Sequence, residues 1–314
     1  MGPNAFVAMG GYPARRTEGR HLAGLSTIGS HLALHWRGIN VPRGGYEEVP
    51  VGSPGVPVLT TEHLSRSFGG VYAVSDLSMS IGEGELRGVI GANGAGKSTL
   101  FDLISGHLAP DRGTISYRGQ RIDRLSPHER ARLNISIVFQ GARLFQGMTV
   151  LENVMVGAHA WSRHGFLAAA LRLPRHKREE REIRRRAEEA IERAGMSAWS
   201  ATRAESLPLG QQRSLQVARA LCSEPRLLLL DEPASGLRAG EKEALAALLG
   251  QMKSEGLTMM LVEHDVGFVA GLADAVTVLD QGRVIAEGSP DEVRQDPAVI
   301  AAYIGREKGH AHRH

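Results

Sequence analysis

One segment constrains what this sequence can fold into more than any other. Residues 91–99 read Gly-Ala-Asn-Gly-Ala-Gly-Lys-Ser-Thr, between the apolar stretch 85–90 and the helically spaced residues 98–105. A strand that enters a glycine-rich loop and leaves through a helix is the setting of a GxxxxGKS phosphate loop. Its glycines let backbone N–H groups point at phosphate oxygens, and the helix adds the positive end of its dipole. The segment predicts a nucleoside triphosphate site.

The side chains of this loop have separate expected roles. Lys97 is expected to neutralise charge on the β- and γ-phosphates, and the Ser98 hydroxyl is expected to be a Mg²⁺ ligand. The residues of the loop that we expect to contact nucleotide are Gly91, Asn93, Gly94, Gly96, Lys97, Ser98 and Thr99. ATP and Mg²⁺ are therefore the predicted cofactors.

A second segment supplies acidic groups. The apolar run Leu227–Leu230 ends in Asp231 and Glu232. On its own this pattern is also compatible with an ordinary polar strand end. Beside a phosphate loop it predicts that Asp231 holds Mg²⁺ through its water shell and that Glu232 is the general base that polarises the attacking water.

With these two motifs in place, the span Val58–Ile304 resembles the ATP-binding cassette (ABC) family. Gln140 matches the glutamine-loop residue, which in that family reaches Mg²⁺ and the attacking water. His264 matches the switch histidine that contacts the γ-phosphate. Phe68 matches the aromatic residue that stacks on adenine, with Tyr72 as the alternative.

Residues Leu207–Arg213 stand where the family has its LSGGQQR signature, before the predicted helix 214–221. The resemblance implies that Gly210 and Gln211 approach the γ-phosphate held by a second cassette, so that ATP lies between two subunits. Pro208 and Leu209 depart from the usual Ser-Gly. Arg238 also replaces the usual Asp in the loop that crosses the dimer interface. We expect these departures to weaken closure without abolishing it.

The predicted fold class is α/β, because buried strands alternate with helices. The resemblance implies a P-loop NTPase core with a mostly parallel sheet, an antiparallel β subdomain and a helical signature subdomain at about residues 150–220. The Gly- and Pro-rich residues 1–56 are expected to form a flexible extension, and residues 57–305 the nucleotide-binding domain. Residues 306–314 form a His-rich tail.

Composition narrows the class of protein. In 314 residues there is one cysteine, Cys222, which predicts a buried free thiol and a reducing compartment. No run approaches the roughly 18 apolar residues of a membrane span, and the N-terminus does not have the pattern of a secretory signal. The net charge of +3 is small, and acidic residues interrupt the basic stretch 172–193, so nucleic-acid binding is not expected.

Three segments are most similar to the ATP-binding subunits of bacterial branched-chain amino acid importers: residues 139–154, the proline-containing signature, and the tail from Ala286 to Gly305. This resemblance implies a peripheral protein at the cytoplasmic face of the inner membrane. Its implied partners are membrane permease subunits, a second identical or related ATPase subunit and, indirectly, an extracytoplasmic binding protein. Residues Gly141–Met148 are the predicted dock for a permease helix.

Several alternatives stay open at this point. Urea, short amides and other amino acids are alternative cargoes, because no residue of such a subunit touches cargo. An exporter-type cassette and an ABC ATPase of DNA repair or translation share the same site residues. A nucleotide sensor without catalysis is disfavoured because Glu232 and His264 are present.

Overall fold

A computed structural model of the protein describes residues 57–141, 144–158 and 174–302. The chain divides into two units, Met1–Glu48 and Val49–His314, and all described residues belong to the second. The predicted extension, residues 1–56, and the predicted tail, residues 306–314, lie outside the described ranges. The predicted domain limits therefore stay predictions.

The phosphate-loop segment lies in the larger of two sheets. Within the described residues this sheet has six strands in the order β10-β9-β3-β8-β7-β6, and only the pair β9 and β10 is antiparallel. The strands are β3 (Leu86–Gly91), β6 (Ile135–Val138), β7 (Leu227–Asp231), β8 (Thr258–Val262), β9 (Ala275–Asp280) and β10 (Arg283–Gly288). The mostly parallel sheet predicted from sequence is confirmed.

The central strands are apolar because both of their faces are covered. Leu228 and Leu230 belong to one core, which includes helices α3 to α6. Leu227 and Leu229 belong to the other, between the sheet and helix α1. The helices are α1 (Lys97–Ser105), α2 (Pro127–Arg132), α3 (Val150–Gly157), α4 (Pro174–Arg193), α5 (Leu209–Leu221), α6 (Ala239–Ser254), α7 (Val266–Ala270) and α8 (Pro290–Gln295).

The smaller sheet is the predicted antiparallel region. Its strands β1 (Leu59–Phe68), β2 (Val71–Ile81), β4 (Arg112–Tyr117) and β5 (Gln120–Arg121) have the order β2-β1-β4-β5. The turn between β1 and β2 is the pair Gly69-Gly70, and both residues have positive φ (57° and 84°). Such angles cost glycine little, so this pair can close the hairpin tightly.

Helices α3, α4 and α5 pack against one another in the region predicted to be helical. Cys222 follows α5 and is buried, as predicted, and burial raises the pKa of its thiol to about 12. None of the helices that the structure describes combines the length and the apolar character needed to span a bilayer.

The predicted start of the helix after the signature was wrong. We expected a loop up to Arg213 and a helix from Ser214, but α5 begins at Leu209, directly after the N-cap Pro208. Proline cannot donate a backbone hydrogen bond, and the first turn of a helix does not require that donor. The signature residues Gly210 and Gln211 thus lie in the first helical turn.

Candidate nucleotide-binding site

The phosphate loop joins the end of β3 to the start of α1. A Cβ atom at Gly96, which has φ 104°, would lie 2.3 Å from the carbonyl oxygen of Ala73 in β2. A Cβ atom at Gly91 would lie 2.4 Å from the carbonyl oxygen of Leu279 in β9. Glycine is required at both positions because neighbouring backbone approaches closely. The β1–β2 hairpin is thereby held against the loop.

The loop presents polar groups at the start of α1. Gly96 is the N-cap and offers no side chain, and no acidic residue lies in the first turn, so the helix dipole favours an anion here. Ser98, Asn93 and Gly94 are exposed, whereas Thr99 is half-buried. These positions fit the contacts predicted for a nucleotide.

Lys97 is only 5% exposed. Its Nζ donates hydrogen bonds to the carbonyl oxygens of Gly91 (2.8 Å) and Ala92 (3.1 Å). The ammonium group therefore lies within the curve of the loop, where its charge can be presented to phosphate oxygens.

Asp231 and Glu232 lie at the carboxyl end of β7, as the sequence predicted. Burial and, to a smaller extent, the nearby carboxylates of Glu232 and Asp102 raise the pKa of Asp231 to about 6, although Lys97 opposes the shift. Several anions close together in a half-buried position fit a site that is completed by a cation.

The predicted catalytic residues Glu232, Gln140 and His264 meet in the structure. The Gln140 amide Nε2 donates a hydrogen bond to Glu232 Oε2 at 2.6 Å. His264 Nδ1 lies 3.7 Å from the same oxygen. Two side chains from two other loops thus converge on the Glu232 carboxylate, which is 18% exposed.

Glu263 is a functional candidate that the sequence analysis missed. It is fully buried, and its carboxylate accepts hydrogen bonds from the backbone N–H groups of Ala234 (2.8 Å) and His264 (3.3 Å). Burial raises the pKa of this carboxyl group. Glu263 joins the loop after Glu232 to the loop that carries His264. The available signal was an acidic residue directly after the buried strand β8.

The aromatic candidates lie on the β1–β2 hairpin. Phe68 is 47% exposed and Tyr72 is 52% exposed. The Arg66 guanidinium lies over the Phe68 ring, 5.1 Å from its centroid. Both rings are available to a base, so the choice between Phe68 and Tyr72 stays a prediction.

The signature residues contact α6 of the same chain. The Gly210 N–H donates to Glu241 Oε1 at 3.2 Å, and Glu241 Oε2 accepts from the Arg238 N–H at 2.9 Å. Gln211 is half-buried in the same turn. The two departures from the family pattern, at residues 208–209 and at Arg238, are therefore neighbours.

The predicted metal ligands are Ser98, Gln140 and Asp231. Within the described residues, no three His, Cys, Asp or Glu side chains are grouped so that they would hold a metal ion by themselves. Mg²⁺ is usually bound by one or two protein oxygens together with water and substrate phosphates. A hydroxyl, an amide oxygen and one carboxylate fit that kind of site.

Comparison with known proteins identifies the family. The model of the ABC transporter family matches residues 74–235. The branched-chain amino acid transport ATP-binding protein BraF of Pseudomonas aeruginosa is 38% identical over 250 residues, which are 79% of this chain and 98% of BraF. This chain belongs to the ABC transporter family. The family and fold class predicted from sequence are confirmed.

Further matches agree with this assignment. A model described as branched-chain amino acid ATP-binding cassette transporter matches residues 283–309. The crystal structure of a nucleotide-free ATP-binding cassette has a TM-score of 0.69 and 29% identity, covering 79% of this chain and 98% of that chain. CbiO1 of Clostridium perfringens, part of an ABC transporter complex, has a TM-score of 0.67 and 32% identity, with coverages of 81% and 98%.

Proposed function

We propose that this chain binds ATP with Mg²⁺ and hydrolyses it to drive an importer, with branched-chain amino acids as cargo. The observation that carries the proposal is the convergence of Gln140 and His264 on Glu232, next to Asp231 and the phosphate loop. A structural ion pair would not need an amide and an imidazole from two other loops. This arrangement suits a base that must be held in one orientation.

In the proposed reaction the Glu232 carboxylate takes a proton from water while the water oxygen attacks the γ-phosphorus. The bond between the γ-phosphorus and the bridging oxygen breaks, and ADP and phosphate leave. Gln140 holds one carboxylate oxygen, so the other is directed at the water. Lys97 and the N–H groups of the phosphate loop stabilise the charge on the phosphate oxygens.

Mg²⁺, when bound, would neutralise phosphate charge, and Ser98, Asp231 and Gln140 are the residues that would hold it. Phe68 is proposed to stack on the adenine, since its ring is exposed on a hairpin that is fixed to the phosphate loop.

The proposed partners are a second cassette and a pair of permease subunits. Gly210 and Gln211 of one cassette would contact ATP held by the other. The proposed permease dock is residues 141–148, of which Ala142 and Arg143 lie outside the described residues. There Phe145 is 44% exposed beneath the Arg219 guanidinium, and Met148 is 37% exposed.

We propose a peripheral location at the cytoplasmic face of the membrane, with a binding protein delivering cargo from outside.

Two similarities support the cargo assignment. BraF is named for branched-chain amino acid transport, and the match over residues 283–309 is to a family of the same name. Cargo contacts belong to other subunits, so urea, amides and other amino acids are the alternatives that an uptake experiment must separate.

The catalytic assignment is tested with Glu232→Gln and Lys97→Ala. Glu232→Gln should bind ATP like the wild type but hydrolyse it at least about 100-fold more slowly, because only the base is lost. Lys97→Ala should weaken both binding and hydrolysis. Nucleotide binding and phosphate release are measured on the purified full chain. Normal turnover by Glu232→Gln would overturn the base assignment.

The cargo is tested by uptake of labelled leucine in source cells that carry Glu232→Gln. Loss of uptake would tie the ATPase to branched-chain amino acid import. Normal leucine uptake, while the wild-type protein hydrolyses ATP, would contradict this cargo and direct the search to urea, amides or other amino acids.

A further inference from the structure

Arg213 is a buried cation on α5 that the proposed reaction does not use. Its side chain is 6% exposed, and burial lowers its pKa while the Glu263 carboxylate opposes this shift. Among the described atoms, its Nε has no hydrogen-bond partner. Burying a guanidinium with an unsatisfied donor lowers the stability of the fold, so we expect Arg213 to have a functional role.

The remaining donors of Arg213 join three segments. Nη1 donates to the carbonyl oxygen of Gln140 and to Gln216 Oε1 (3.2 Å), and Nη2 donates to the carbonyl oxygen of Ser235 (3.3 Å). Gln216 in turn donates from Nε2 to the carbonyl oxygen of Gly141 at 2.6 Å. Helix α5 is thereby connected to the loop after β6 and to the loop after β7.

Both of these loops act on Glu232. The Gln140 side chain donates to the Glu232 carboxylate, and the Ser235 N–H donates to the Glu232 carbonyl oxygen at 3.1 Å. Arg213 therefore contacts the backbone of Gln140, whose side chain orients the base. It also contacts the turn that follows Glu232. It does not contact the base itself.

We propose that Arg213 is a positioning residue that couples the first turn of α5 to the orientation of Glu232, acting mainly through Gln140. The first turn of α5 carries Gly210 and Gln211, so closure on a second cassette would be transmitted to the chain's own base. This inference rests on the proposed function, because it needs Glu232 to be the base. The planar fork of arginine can reach two carbonyl oxygens on different loops, which a lysine ammonium cannot do equally well.

The test is a double-mutant cycle of Arg213→Met and Gln140→Ala in the full chain, with kcat and KM for ATP measured. Arg213→Met should lower kcat by about tenfold and change KM by less than about twofold, since ground-state binding is untouched. If Arg213 acts through Gln140, the double variant should lose much less than the product of the two single losses. A purely structural role would give multiplicative losses.

Arg219→Met is the matched control. Arg219 lies on the same helix and is half-buried, and its guanidinium lies over the ring of Phe145, five residues along the chain from Gln140. The kcat of Arg219→Met should stay within about twofold of the wild type. In the double variant with Gln140→Ala, the two losses of kcat should multiply. An equal loss of kcat in Arg219→Met would overturn the proposal.

Arg213→Lys covers the case in which Arg213→Met does not fold. It keeps the charge and should give an intermediate kcat with the same non-multiplicative behaviour. Multiplicative losses in this cycle, or a rise in KM with normal kcat, would refute the positioning role. Glu232→Gln with normal turnover, or a wild-type chain that hydrolyses no ATP even when a second cassette and the permease are present, would instead refute the proposed function.

Discussion

Glu232 has a backbone conformation that few residues other than glycine adopt. Its φ is 43°, in the left-handed region, and its N–H donates to the carbonyl oxygen of Val262 at 2.9 Å. Such a conformation costs on the order of 1 kcal/mol and persists where the surroundings determine it. Here the turn directs the carboxylate to Gln140 and His264, so the strain accompanies the proposed catalytic geometry.

Asp231 illustrates the cost of gathering anions at the same site. Its folded-state pKa of about 6 lies above the usual aspartate value of 3.8, so the folded protein binds an extra proton between these values. By linkage, the ionised carboxylate destabilises the nucleotide-free protein fully above about pH 6, and this penalty shrinks progressively as the pH falls from about 6 towards 3.8.

We therefore expect Asp231→Asn to stabilise the metal-free protein near neutral pH. The gain should be about 1–2 kcal/mol at about pH 7.5, allowing for solvent screening of a half-buried group, and smaller at about pH 5, where Asp231 is largely protonated. The difference in unfolding free energy between variant and wild type is measured by urea unfolding in EDTA at the two pH values. An equal gain in stability at both pH values would show that ionisation of Asp231 is not its cause. ATP hydrolysis should fall, because a proposed Mg²⁺ ligand is lost.

At the scale of elements, Asn153 on α3 fixes the segment proposed as the permease dock. Its side chain is fully buried; Oδ1 accepts from the Phe145 N–H (2.9 Å), and Nδ2 donates to the carbonyl oxygens of Phe145 and Thr149. The loop thus presents Phe145 and Met148 without a strand or helix of its own. One buried amide thus pairs backbone groups of this loop that belong to no strand or helix.

Asn153→Ala should loosen this loop selectively. Loss of these hydrogen bonds leaves buried backbone groups unpaired and should cost about 1–3 kcal/mol of stability. Amide hydrogen exchange over residues 145–148 should accelerate more than exchange in β7 or β8. Glu152→Ala, which removes a capping contact of the same helix at its exposed side, serves as the control. Uniform acceleration throughout the chain would show that Asn153 acts only on global stability.

The elements differ in how well the sequence predicted them. β7 and β8 are short, continuously apolar and followed by acidic residues, so local pattern was sufficient to locate them. The start of α5 was misplaced because the whole signature was expected to be a loop, whereas the chain already turns into a helix at Leu209 and Glu241 of α6 accepts the Gly210 N–H. Arg213 and Glu263 were missed as site residues because the contacts that join them to other loops, to Gln140 and to Ala234, are distant in sequence.

At the scale of the whole molecule, the strand order separates the phosphate loop from the signature residues of the same chain. We therefore expect one chain alone to form only part of an ATP site. The phosphate loop follows β3, whereas α5 packs against β6, with β8 and β7 between these strands. Neighbouring strands lie about 4.8 Å apart, so β3 and β6 are separated by about 14 Å. We therefore expect Gly210 and Gln211 to meet a nucleotide on another cassette and not the nucleotide on their own.

A composite site predicts that ATP binding without hydrolysis stabilises a dimer. Glu232→Gln in ATP should have about twice the 33.8 kDa mass of the chain by light scattering. The same variant with Lys97→Ala added should stay monomeric, because the nucleotide that joins the two subunits is bound weakly. A monomeric mass for Glu232→Gln under saturating ATP would contradict a homodimer. In that case the signature that completes this site would come from a different, related cassette. Adding that subunit should then restore ATP-dependent association.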